Sequence, residues 1–157
     1  MKNKSFRWIN LPGTSESVNE FGRWHNVSVF KDTHKKRIFS DKVLEVAEPW
    51  ILEKFNNDIL SIVSVTIFSN YADLVLNIDY SLTIPEEIEL KIKQEFEAEK
   101  LDDDEISDSE VFCEYQNAII DEMESEIEDY LMNPKHELFS EWEIEGYQVF
   151  SIAEKWL

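Results

Sequence analysis

The sequence predicts a single α+β domain over residues 1–157, in which an antiparallel sheet packs against two or three helices. Three observations predict it. The chain has 157 residues, which is the length of one ordinary domain. Residues 58–80 hold two runs rich in Ile, Val and Leu around a short turn, as a β-hairpin does. Residues 109–132 repeat apolar side chains at helical spacing, and neither a linker nor an internal repeat divides the chain.

Short strands and turns are expected at the start of the chain. Residues 5–11 favour a strand that ends at Pro12, and residues 24–30 alternate well enough for another. Between them, residues 14–23 are expected to form loop or a short helical turn.

A polar turn and a helix are expected next. Residues 31–36 are expected to form this polar turn, and residues 37–39 are a candidate for the strand that returns from it. Asp41 is the predicted N-cap of the following helix. Pro49 either kinks that helix or opens a second turn that carries Trp50, Ile51, Leu52 and Phe55.

The strongest strand signals lie in the middle of the chain. Residues 58–68 and 73–80 are predicted to form an antiparallel hairpin at the centre of the sheet. Residues 87–93 carry both a helical and an alternating apolar pattern, so helix and strand are both open there. Helix is favoured, because Pro85 and two following acids are typical of a helix start.

The long helix is the best-defined element of the second half. It is predicted over residues 109–132, with Ser107 and Glu110 as a capping box and Pro134 as the stop. Residues 137–152 are predicted to form a second hairpin that turns at a Glu-Gly pair.

The net charge of the chain is −19. Residues 1–80 contain ten Lys or Arg and ten Asp or Glu, so the whole excess lies in the second half. Between Leu101 and Pro134 there are 13 acids and no Lys or Arg. Nucleic acid and anionic membrane surfaces are therefore excluded as partners, since both require a basic surface.

The residues that common cofactors and catalytic sites require are scattered. The three glycines are too far apart for a phosphate-binding loop, and the three histidines lack zinc spacing. Cys113 is expected to fill the core, and a single Cys fits a reducing, cytoplasmic location. The acids at 102–105 do not match a calcium loop. The sequence thus predicts neither a cofactor nor a metal nor a catalytic set.

The acids of the long helix are predicted to form an acidic stripe. With 100° per residue and an apolar face centred near Ile119, five carboxylates point the opposite way along about 27 Å of helix. The stripe consists of Glu110, Glu114, Asp121, Glu124 and Glu128. Four acids before the helix extend it: Asp102, Asp103, Asp104 and Glu105. Glu126 falls inside the apolar face and is expected to lie at its boundary.

A solvated surface and a binding surface are the two interpretations of this stripe. Solvated helix faces normally mix charge signs, because Glu followed by Lys four residues later stabilises a helix. The unmixed acids favour a surface that binds a basic protein partner.

In acidity, size and layout, the chain resembles the small acidic immunity proteins that bacteria pair with toxin domains, including those of contact-dependent inhibition. The acids from Asp102 to Asp129 carry this resemblance. It implies a protein that is not an enzyme and is a monomer or weak dimer when free. Its partner would be a basic toxin domain, often a nuclease, whose cationic active-site cleft it blocks. The alternatives are an acidic homodimeric chaperone of type III secretion and an uncharacterised enzyme.

Overall fold

The computed structural model describes residues 2–99 and 108–157. As predicted, the fold is α+β and combines antiparallel sheets with packed helices. Its strands are β1 (Lys2–Asn10), β2 (Ser15–Glu20), β3 (Arg23–Ser28), β4 (Leu60–Asn70), β5 (Asp73–Thr83), β6 (Phe139–Ile144) and β7 (Tyr147–Ile152). Its helices are α1 (Thr33–Phe55), α2 (Glu86–Glu99) and α3 (Asp108–Leu131).

The main sheet has the strand order β1-β5-β4, and both pairings are antiparallel. The predicted β4–β5 hairpin is confirmed, but only β5 is central, and β4 is an edge strand instead of a central one. Side chains alternate between faces along a strand, so every second residue of β5 points to the same side. The buried set that faces the core is Leu74, Leu76, Ile78, Tyr80 and Leu82. Helices α1 and α3 cover this inner face of the sheet.

Helix α1 begins well before its predicted start. The expected turn at residues 31–36, the expected strand at residues 37–39 and the expected N-cap at Asp41 are all wrong. The helix starts at Thr33, and the Asp32 carboxylate accepts the backbone N–H of His34 at 2.8 Å. Ile38 and Phe39 suggest a strand only when the residues that follow them are left out of account. The helical period of four already starts there, and it continues through Phe39, Val43, Ala47, Ile51 and Phe55, all buried.

The expectation of loop or helical turn at residues 14–23 is also wrong. This segment forms β2, which pairs with β3 in a two-stranded hairpin. Its sequence is mostly polar on both faces and its side chains are largely exposed, so it carries no apolar alternation that would predict a strand. Phe21 and Gly22 turn the hairpin with φ of 54° and 77°.

Several other predictions of secondary structure are confirmed. Residues 87–93 are helical within α2, as favoured. Helix α1 runs as one element from Thr33 to Phe55 with Pro49 inside it, so Pro49 does not open a separate turn. Helix α3 ends at Leu131, before Asn133 and Pro134, and β6 pairs with β7 in the second hairpin. The proposed cap residue Ser107 lies outside the described residues.

Gly13 lets the second hairpin pack against the connection between β1 and β2. An added Cβ at Gly13 would lie 2.9 Å from the Cα of Ser151 on β7. Its φ of 74° is also one that glycine adopts most readily. A side chain at this position would therefore separate the hairpin from the sheet.

Candidate functional site: the acidic helix and its neighbours

Helix α3 is held in place by one apolar face. The face is centred nearer Ile120 and Ile127, both fully buried, than Ile119, which is only partly buried. The helix is thus rotated from its predicted orientation. Its buried residues are Val111, Tyr115, Ile120, Met123, Ile127 and Leu131.

This rotation changes which carboxylates face solvent. The exposed acids form what we call the acidic ridge: Glu110, Glu114, Asp121, Glu122 and Asp129. The ridge extends along about 28 Å of helix at 1.5 Å per residue. Glu124 and Glu128 of the predicted stripe are partly buried at the border of this face. Asp102, Asp103, Asp104 and Glu105 lie outside the described residues.

Arg7 compensates part of the predicted stripe. Its Nη2 lies 2.8 Å from Oδ1 of Asp121, and its Nη1 lies 3.8 Å from Oε2 of Glu124. The arginine comes from β1, in the electrically neutral half of the chain. Two of the predicted site residues are therefore tied to the fold by an internal cation, and the stripe is not a uniform row of unpaired acids.

A second cation lies on the other flank of α3. Lys54 at the end of α1 is 3.6 Å from Glu126, and its ammonium group also lies 5.0 Å from the ring centroid of Trp50. The Glu126 side chain is 41% exposed, so it lies at the boundary of the apolar face as expected. Arg7 and Lys54 thus approach α3 from its two sides and leave the ridge between them.

Glu128 is the least compensated of the border acids. Partial burial raises the pKa of its carboxyl group, and the neighbouring charges of Glu124 and Asp129 raise that pKa further. Within residues 2–99 and 108–157, no Lys or Arg pairs with Glu128. A cation brought to this position would relieve the repulsion.

The sequence did not identify a second feature close to α3, on the outer face of β1. Phe6 and Trp8 are 55% and 48% exposed, and their ring centroids are 5.5 Å apart. Trp8 also packs edge-on against Phe68 of β4, at 5.1 Å. Trp24 and Trp142 are exposed as well. The sequence could have predicted this exposed pair, because Phe6 and Trp8 alternate with Arg7 and Ile9. Alternation along a strand places the two aromatic rings on the face opposite the core.

The described residues offer no support for a membrane span or a metal site. Residues 2–99 and 108–157 contain no helix that is long and apolar enough to cross a bilayer. In the same part of the chain, no three His, Cys, Asp or Glu side chains are grouped to hold a metal ion. Cys113, expected in the core, is exposed. Comparisons of the chain with models of protein families, with curated proteins and with solved structures found no match.

Proposed function

We propose that this chain is an immunity-type binding protein that neutralises a basic toxin domain by covering its cationic active-site surface. The observation that carries the proposal is the acidic ridge of α3. The helix contains no Lys or Arg, and its exposed carboxylates share one face of a well-packed element. A nuclease is the favoured class of partner, because its active site is built to attract the phosphates that carboxylates imitate.

The packing of α3 supports binding over mere solvation. Its carboxylates are held on a helix anchored by a continuous buried face, so a partner does not need to order them. A concentrated negative field increases the rate of encounter with a cationic protein. Carboxylates also accept paired hydrogen bonds from arginine, which gives the contact directional specificity.

The ridge is unfavourable for the stability of the helix itself. Glu110 and Glu114 are four residues apart, and such like-charged pairs cost roughly 0.2–0.5 kcal/mol each. Asp129 lies in the last turn, where the helix dipole disfavours an anion by about 0.3–1 kcal/mol. Among the described residues, Glu114, Glu122 and Asp129 form no ion pair. Charges that destabilise the free protein are those that a cationic partner would compensate.

Two triple charge reversals test the proposal. The first replaces Glu114, Glu122 and Asp129 by Lys and avoids the acids that pair with Arg7. The matched control replaces three exposed acids of α1 by Lys and changes the net charge equally: Asp41, Glu48 and Glu53. Wild type and both variants are used to capture partners from the native organism. We expect wild type and the control to retain the same basic protein and the α3 variant to lose it.

The captured protein is then assayed for nuclease activity. We expect wild type to inhibit it at a one-to-one ratio, with an association rate that falls as salt rises. Equal retention by both variants would place the interface outside the ridge and contradict the proposal. A stable homodimer in light scattering that holds an unfolded segment would favour the secretion chaperone instead.

A further inference from the structure

The two edges of the main sheet differ in how their backbone is protected. At the β4 edge, the side chain of Asn56 accepts the N–H of Ile62 at 2.6 Å, and that of Asn57 accepts the N–H of Leu60 at 2.8 Å. The pairing register of β4 also shifts between Ile62 and Ser64, which is a bulge. Side-chain bonds and a bulge of this kind hinder the addition of another strand at this end of β4.

Within residues 2–99 and 108–157, the β1 edge has neither protection. Its pairing with β5 runs without a register shift from Lys2 to Asn10. On the other side of β5, the N–H of Thr83 donates to the carbonyl oxygen of Ile59, next to β4. The backbone groups of successive residues in an antiparallel strand point to opposite sides, so odd-numbered residues of β5 bond toward β4. Even-numbered residues of β5 therefore bond to β1, and even-numbered residues of β1 direct their backbone groups outward. Within the described residues nothing accepts these N–H groups, which belong to Lys4, Phe6, Trp8 and Asn10.

Different chemistry flanks this free edge on its two sides. On the inner side, α3 lies over β1: Gln116 Nε2 donates to Ser5 Oγ at 3.2 Å, and Arg7 contacts Asp121 and Glu124. On the outer side, the same strand presents the exposed Phe6 and Trp8. A strand placed beside β1 would therefore have carboxylates on one face and aromatic rings on the other.

We propose that the free edge of β1 accepts an extended segment of the basic partner as a fourth strand of the sheet. The segment alternates Lys or Arg, directed toward α3, with apolar residues directed toward Phe6 and Trp8. Strand addition supplies affinity through main-chain hydrogen bonds and specificity through alternate side chains. This inference rests on the proposed function and adds how the partner is held.

Charge argues against a second copy of this chain at the same edge. Pairing β1 with its own copy would bring two α3 helices together, and each chain carries a net charge of −19. Like charges in a shared interface oppose association, whereas a cationic segment is attracted.

Two synthetic peptides test the inference. One is a dodecapeptide that alternates lysine with valine, and the other has the same composition arranged as Lys-Lys-Val-Val repeats. Both carry the same charge, but only the first separates its lysines and valines onto two faces of a strand. We expect the alternating peptide to bind about tenfold more tightly. We also expect it alone to slow hydrogen exchange of the backbone amides of Lys4, Phe6, Trp8 and Asn10.

A proline substitution tests the edge directly. Lys4→Pro removes an outward N–H without removing a bond to β5, and Lys4→Ala removes the same charge but keeps the N–H. We expect Lys4→Pro to weaken the alternating peptide about fivefold relative to Lys4→Ala, as loss of one hydrogen bond does. Asn10→Pro and Asn10→Ala form a second pair should Lys4→Pro disturb folding.

The outcomes separate the two proposals. If both peptides bind equally and the β1 amides exchange at unchanged rates, the edge is not the docking site, while the attraction of basic partners stands. If neither peptide binds the wild-type chain, both proposals are wrong.

Discussion

Helices α1 and α3 pack on the same face of the main sheet and have 23 and 24 residues, yet their solvent faces differ completely. Both bury a continuous apolar row: Phe39 and Val43 of α1 and Ile120 and Ile127 of α3 are fully buried. Helix α1 carries five Lys or Arg and four acids, whereas α3 carries nine acids and no cation. Packing therefore determines the buried face of each helix, whereas it leaves the charge of the solvent face unconstrained.

The largest expected effect is on the shared core. Phe39→Ala removes a ring that contacts Phe30, Phe139 and Trp156, and should lower the free energy of unfolding by about 3–5 kcal/mol. Ile120→Ala in α3 should cost about 2–5 kcal/mol for the same reason. Urea denaturation measures both. A cost below about 1 kcal/mol for Ile120→Ala would contradict the equal structural role of the two helices.

The next largest effect is the loss of stability when an ion pair of each helix is broken. Arg7→Gln leaves Asp121 and Glu124 without their cation and should cost about 1–2 kcal/mol at neutral pH, since the Arg7 side chain is only 27% exposed. The control is Lys42→Gln, which breaks an exposed pair with Glu45 within α1 and should cost about 0.2–0.5 kcal/mol. Equal costs in denaturant unfolding would mean that α3 does not depend on β1 for charge compensation.

The smallest effect is a pH dependence at Glu128. Burial first, and then Glu124 and Asp129, raise the pKa of this carboxyl group in the folded state. The folded chain therefore holds the proton to higher pH, and stability falls as pH rises from the ordinary glutamate pKa through the raised one. We expect Glu128→Gln to stabilise the protein by on the order of 0.5 kcal/mol at neutral pH, because the partly solvated group feels screened charges.

Unfolding curves at neutral pH and below the ordinary glutamate pKa measure this difference. The gain in stability from Glu128→Gln should disappear at the lower pH, because the Glu128 carboxyl group is then protonated in both the folded and the unfolded state. The control is Glu114→Gln, which makes the same change at an exposed acid of the ridge. A gain that persists at low pH would attribute the effect to packing instead of charge.

Much of the fold was predictable because its signals are local. The β4–β5 hairpin, α2, α3 and the β6–β7 hairpin each carry their own period of apolar residues and their own turn or stop residues. The start of α1 and strand β2 were not predictable in this way. The start of α1 was hidden by a short apolar pair. Strand β2 has no apolar face, since it belongs to a separate two-stranded sheet and its side chains are largely exposed.

The candidate site also has features that local sequence predicts and features that depend on tertiary packing. The sequence by itself determined that α3 is amphipathic and that the helix contains no Lys or Arg of its own, because both follow from residue order along one helix. Only the tertiary structure decided the rotation of α3, the pairing of Asp121 and Glu124 with Arg7, and the free edge of β1 beside them. These depend on which distant segments pack together, a choice set by the complementary shapes of the whole core and not by the period of any one segment.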